Sequence, residues 1–157
     1  MTNYIKTIRQ KIGHDMLILA GAGVFVHQNG KLLMQRRQDN GFWSACHGGA
    51  VEVGEAVEET ARRELFEETG LVANKLELFG VYSGTDTLST YPNGDQVYYI
   101  NTFFTCTDFS GELSAQESEV SELRWVDIND IPASINPPDL RPVSDFIETM
   151  NNRRHNA

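Results

Sequence analysis

Apolar positions along this 157-residue chain recur at two periods, and the switches between them mark out its elements. In NYIKTIRQKI, Tyr4, Ile5, Ile8 and Ile12 fall at helical spacing, so a short amphipathic helix is predicted over 3–12, within a leading segment 1–15. Residues 17–27 and 31–37 are apolar, β-branched runs joined by Asn29-Gly30, the pair that favours a two-residue hairpin. Residues 39–47 read as a loop leading to a glycine pair, Gly48-Gly49. Beyond it Val57, Ala61 and Leu65 form a row at four-residue steps, the apolar stripe of a second helix that stops at Gly70. Strands are predicted over 75–81, 96–107 and 122–126, with a strong turn at Tyr91-Pro92-Asn93-Gly94-Asp95. Pro137-Pro138 precedes a last helix, 142–151, whose stripe is Val143, Phe146, Ile147 and Met150, and the tail after it is expected to fray. A two-sided apolar sheet must be covered on both faces, so this order predicts an α/β/α sandwich around a mixed sheet. Without repeats or linker-like tracts, residues 1–157 read as one domain.

Composition narrows what such a domain can bind. A net charge of −9 and a pI near 4.8 exclude a nonspecific grip on nucleic-acid phosphate, which needs clustered Lys and Arg. A small phosphorylated substrate stays compatible, because a bound cation supplies the missing positive charge. No apolar run approaches the ~20 residues of a membrane span, and the start lacks a signal-peptide layout. Two cysteines, Cys46 and Cys106, make no disulfide framework, although one bridge stays open; together these features point to a cytoplasmic protein.

The negative charge is concentrated where helix stability least wants it. Glu64, Glu67 and Glu68 fall in an arc of roughly 100° on one helix face, and like charges at that spacing repel by a few tenths of a kcal/mol per pair. A hard divalent cation reverses the sign of the arrangement, since Mg²⁺ takes oxygen ligands and keeps waters that a phosphate can replace. Gly48 and Gly49 leave room for close approach to the main chain. Arg63 can hold Glu55 or the neighbouring carboxylates with a planar fork that Lys lacks.

These residues stand in a spaced pattern, Gly49, Glu55, Arg63, Glu64, Leu65, Glu67, Glu68, Gly70 and Leu71, which resembles the signature of the Nudix hydrolase family, G-x5-E-x7-R-E-U-x-E-E-x-G-U, at every fixed position over 49–71. The resemblance implies a Nudix-type α/β/α sandwich over about 17–150. It also implies Glu64, Glu67 and Glu68 as ligands of Mg²⁺ or Mn²⁺ beside Gly49, with Glu55 and Arg63 mainly structural in relatives. Glu68 and Arg63, with a loop glutamate, then form the candidate catalytic set. Relatives often take the general base from a loop outside the signature; of Glu117, Glu119 and Glu122, the position of Glu119 six residues before Trp125 resembles that placement. Many relatives dimerise, and Ile5, Ile8 and Ile12 offer an apolar face for a homodimer or for packing within the chain.

This chain departs from the commoner family pattern before the glycine pair, where Ser44-Ala45-Cys46-His47 stands in place of a shorter, proline-containing link. The missing proline puts the rigidity of this loop in question. His47 can contact phosphate or assist proton transfer, or simply fill the proline's place and hydrogen-bond locally. For substrate contacts, Arg37, Tyr82 and Tyr98, with Phe42, Asp86 and Tyr91, lie on segments able to line a nucleotide pocket. The activity implied is metal-dependent hydrolysis of a nucleoside diphosphate linked to another group. The alternative is a module of the same fold that binds or senses a nucleotide such as ADP-ribose.

Overall fold

The computed structural model describes residues 3–157. Helix α1 (Asn3–Ile12) leads into β1 (Leu17–Gln28) and β2 (Lys31–Arg37), and two short strands, β3 (Trp43–Ser44) and β4 (His47–Ala50), precede α2 (Val57–Thr69). Strands β5 (Val72–Tyr82), β6 (Leu88–Thr90), β7 (Gln96–Ser110) and β8 (Val120–Asp127) follow, and α3 (Leu140–His155) closes the chain. The predicted hairpin forms at Asn29-Gly30, where both residues take the left-handed backbone of a tight primed turn, φ 51° and 73°.

The sheet runs β3-β2-β1-β7-β5, with β4 joined to β1, β6 to β7 and β8 to β2. β1 and β7 are parallel from Leu17↔Val97 to Val26↔Cys106, and the other strand pairs are antiparallel, so the sheet is mixed as expected. Alternation along the strands divides the core between the faces. Phe25, Leu32, Met34 and Phe103 pack under Val143 and Phe146 of α3, whereas Val24, Val26, Leu33 and Phe104 pack under Ala61 and Leu65 of α2. Ile5, Ile8 and Ile12 of α1 lie on Leu17, Leu19 and Val97 of the same chain, so the stripe offered as a dimer face is engaged at home.

Two expectations need correction. The stretch 39–47 is not simply a loop. Trp43–Ser44 and His47–Ala50 are strands, and Trp43 is strapped through its backbone to Ser134 (N–H to O, 2.9 Å) and Asn136 (O to N–H, 2.8 Å). Main-chain bonds thus supply the rigidity a proline would have given. The last helix begins at Leu140 and runs to His155, into the tail expected to fray. Arg153, Arg154 and His155 in its final turn suit the negative end of the helix dipole, and Pro142 in its first turn forfeits no helical hydrogen bond. Cys46 and Cys106 are both free, buried in cores on opposite faces of the sheet. Among the described residues no helix is long and apolar enough to cross a membrane.

Candidate active site

The site grows from one edge of α2. Its first turn carries Glu58 and Glu59, which suit the positive end of the helix dipole, and the Glu59 carboxylate accepts the Ala56 N–H at 2.8 Å. Its last turn ends at Gly70, whose φ of 75° and N–H bond to the Phe66 carbonyl (2.8 Å) close the helix. With Ala61 and Leu65 buried against the sheet, the carboxylates on the adjoining edge meet β4. They are graded by depth: the Glu68 side chain is 7% exposed, Glu64 15% and Glu67 47%.

Arg63 organises this edge. Its Nε and Nη2 donate to the two oxygens of Glu55, at 2.7 and 3.0 Å, while Nη1 reaches Glu64 at 2.8 Å and Glu67 at 3.3 Å. Glu55 also accepts the Thr60 hydroxyl at 2.6 Å and the Glu52 N–H at 3.1 Å. Its pKa is drawn down to about 2, first of all by Arg63. Burial pushes the Glu64 carboxyl up against the opposing pull of Arg63, and pushes Glu68 up much further, with Glu64 and Glu119 adding like charge. The Glu68 Oε2 atom is buried with no hydrogen-bond partner.

Gly48 and Gly49 of β4 are there for space. A Cβ on Gly49 would stand 2.5 Å from Glu64 Oε1, and one on Gly48 would strike the Ala22 carbonyl of β1. Among the described residues, no three His, Cys, Asp or Glu side chains are gathered closely enough to grip an ion as they stand. The reason is visible in Arg63, which draws Glu64 and Glu67 to itself. The donor set nevertheless fits a hard cation: three carboxylates, one with an unmatched buried oxygen, beside the side-chain-free pair Gly48-Gly49.

Above Glu68 opens a cleft of about 520 Å³ walled by Arg37, Tyr91, Tyr99, Glu119 and Asp139. It continues past Gly49, Glu64 and Glu67 toward Arg9 of α1. Arg37 is braced by two bonds to Asp39, at 2.9 and 2.7 Å. The loop carrying Glu119 is tied to the end of α2, because Ser114 and Gln116 donate their N–H groups to the Thr69 and Glu68 carbonyls, at 2.8 and 3.3 Å. Of the three loop glutamates, Glu119 faces the cleft, Glu117 is exposed away from it, and Glu122 pairs with Arg124 on β8.

Two expected substrate contacts are placed elsewhere. The Tyr82 hydroxyl donates to Asp145 at 2.9 Å and its ring packs in the core under α3, while the Tyr98 hydroxyl accepts the Gly84 N–H at 3.0 Å. Phe42 and Asp86 also lie off the cleft lining, Asp86 paired with Arg141 at 3.0 Å. Tyr91 and Tyr99 hold the wall instead, their hydroxyls 3.3 Å apart. His47 is fully buried and off the cleft lining, so it does not face a substrate phosphate, and desolvation lowers its pKa to about 4. Its single N–H has two local oxygens within reach, the Leu33 carbonyl and the Gln35 side chain. Burial likewise pushes the Cys46 thiol well up and leaves it inert.

Sequence reasoning missed Asp139 and Gln35. Asp139 is largely buried in the cleft wall, accepts the Ser44 hydroxyl, and has its pKa raised to about 6 by burial. Its only sequence signal was its place after two prolines. Gln35 is a polar residue at a core position of β2, and its signal was a break in an otherwise apolar run.

An α/β/α layer with an acidic helix edge laid along a glycine-bearing strand, at the floor of an open cleft, defines the class. The chain belongs to the NUDIX family: the NUDIX domain model matches residues 18–146. It is 37% identical over 109 residues to an ADP-ribose pyrophosphatase of Methanocaldococcus jannaschii, a match covering 68% of this chain and 60% of that protein. It is 47% identical over 64 residues to a MutT-like protein of Streptomyces ambofaciens, covering 41% of each. The matched region thus spans less than two thirds of these relatives' own lengths. Among solved structures, a MutT NUDIX hydrolase from Burkholderia pseudomallei superposes with a TM-score of 0.71 at 23% identity, covering 82% of this chain and 98% of that one. The NUDIX domain of Shewanella oneidensis NrtR, complexed with ADP ribose, superposes at 0.65 and 20% identity, covering 96% and 99%. At these identities the structural matches speak for the fold.

Proposed function

We propose that this chain is a divalent-metal-dependent pyrophosphohydrolase that cuts the phosphoanhydride of a nucleoside diphosphate linked to a second group, releasing a nucleoside monophosphate and the phosphorylated group. The observation that carries this reading is Glu68, a buried carboxyl with an unpartnered oxygen at the floor of an open cleft. Glu64, Glu67 and Glu68, beside Gly49, would hold Mg²⁺ or Mn²⁺. When bound, such an ion neutralises phosphate oxygens and makes water a nucleophile near neutral pH. The chain's own residues supply the rest. Arg37, fixed by Asp39, offers charge to a phosphate, and Tyr91 and Tyr99 offer rings at the cleft wall. Glu119, which lines the cleft, would serve as the carboxylate that takes a proton from the attacking water.

ADP-ribose heads the substrates to test, in view of the named activity of the M. jannaschii relative. A coupled phosphate-release screen over ADP-ribose, nucleotide sugars, CDP-alcohols, nucleoside triphosphates and dinucleoside polyphosphates, with Mg²⁺ and with Mn²⁺, tests the proposal. Metal-dependent turnover of one class, lost in Glu68→Gln, supports it. Tight ADP-ribose binding without turnover of any compound would replace it with a sensing module.

A further inference from the structure

We propose that Gln35 and His47 are positioning residues that hold the Glu68 carboxyl for cation binding, an inference that rests on the metal-dependent reading above. Both are polar side chains at core positions, 4% and 0% exposed, where apolar residues would pack without any hydrogen-bond requirement. Register explains where they meet. Gln35 lies two residues from Leu33 on β2 and so shares its face, the one under α2; His47 of β4 is paired with Val24 of β1, another member of that core. Glu68 comes down on the same spot from the last turn of α2. Three segments far apart in sequence thus converge on one carboxyl.

The contacts form a chain. A neutral His47 ring carries one N–H, and two oxygens compete for it: the Leu33 carbonyl lies 3.0 Å from Nε2 and the Gln35 side-chain oxygen 3.2 Å from Nδ1. With the proton on Nδ1 the ring donates to the Gln35 oxygen and leaves the Gln35 amide N–H group to face Glu68, whose Oε2 lies 3.8 Å from the same Nδ1. The Gln35 side chain also faces Glu68 and favours its charged form, opposing the effect of burial. Like charge reaches Glu68 from Glu64 and Glu119, with Arg37 opposing it from the cleft wall. The carboxyl therefore has neutral polar groups on its inner side and an oxygen that no protein donor satisfies. A ligand carboxylate must be held closely to serve, and partners of this kind are worth roughly 10- to 100-fold in metal affinity or activity. The role requires no proton transfer by His47.

The test uses the full chain, with Mn²⁺ binding followed by the loss of the free-ion EPR signal and melting followed without metal. Gln35→Met keeps length and removes the amide. It should weaken Mn²⁺ binding roughly 10- to 100-fold while the metal-free melting temperature moves little. In a Glu68→Gln background the same substitution should add no further loss, because the partner it acts through is gone. A folded Gln35→Met protein with wild-type Mn²⁺ affinity, or a loss of equal size in both backgrounds, would overturn the inference. If Gln35→Met does not fold, His47→Gln carries the test with the same expected loss, and unchanged affinity there overturns it. A wild-type chain with no Mn²⁺ affinity would sink the metal-dependent reading itself, and this inference with it; a wild type that binds beside indifferent variants sinks this inference alone.

Discussion

The Arg63 guanidinium holds Glu55 with two parallel bonds, at 2.7 and 3.0 Å, while its third nitrogen reaches Glu64 at 2.8 Å. One side chain thereby joins the segment before α2 to the acidic edge of α2, and a further bond to the Ala50 carbonyl (3.3 Å) adds β4. Lysine has the charge but not the fork. Arg63→Lys is expected to lower the melting temperature and weaken Mn²⁺ binding together, with turnover falling as a consequence. Melting curves and a metal titration on the same preparation check this. A fall in kcat alone would move Arg63 into direct contact with substrate.

Glu119 and Glu117 are two residues apart, yet only Glu119 faces the cleft. Glu119→Gln keeps the size and removes the proton acceptor, so kcat should fall on the order of 10²-fold with stability unchanged. Glu117→Gln should be neutral. Steady-state kinetics on the best substrate of the screen decide between them, and the reverse pattern would move the role two residues upstream.

Asp139 gives a pH signature. Burial raises its pKa from 3.8 to about 6, so the folded state binds this proton more tightly than the unfolded chain does. Below the unfolded value both states are protonated and the group is neutral in effect; as pH rises through about 6 the folded state must ionise a buried carboxyl, and stability is lost. Asp139→Asn removes that penalty. The melting temperature of the variant, relative to wild type, should therefore be higher at about pH 8 than at about pH 4. An equal difference at both pH values would show that the carboxyl is not held protonated by burial.

Gly70 is constrained twice. Its backbone is left-handed, and a Cβ there would stand 2.6 Å from the Glu112 carbonyl oxygen of the loop that leads to Glu119. Gly70→Ala should cost more than the ~1 kcal/mol of an ordinary left-handed cap, because the loop must also move. Denaturant unfolding measures the loss, and kcat should fall alongside as the Glu119 loop shifts. A loss in stability with kcat intact would show that the loop tolerates the displacement.

The sequence by itself determined what depends on near neighbours. The stripe Val57, Ala61, Leu65, the stop at Gly70 and the carboxylate spacing of α2 are all set within one helix, and Asn29-Gly30 needs only its own turn to place the first hairpin. Side-chain direction along the strands was another matter. Tyr98 and Tyr99 are adjacent and equally apolar, and a strand sends them to opposite faces, so which one reaches the cleft depends on how β7 is registered against β1. Tyr82 was misplaced for the same reason: nothing local said that its face of β5 would be covered by α3. The strand at His47–Ala50 exists because Gly21–Val24 is beside it to accept the pairing, and no local signal could reveal that partner. Gln35, His47 and Glu68 meet only because β2, β4 and α2 are folded together; in a linear chain they are three unrelated polar residues. Local chemistry decided which groups could serve the site, and nonlocal pairing decided which of them arrive there.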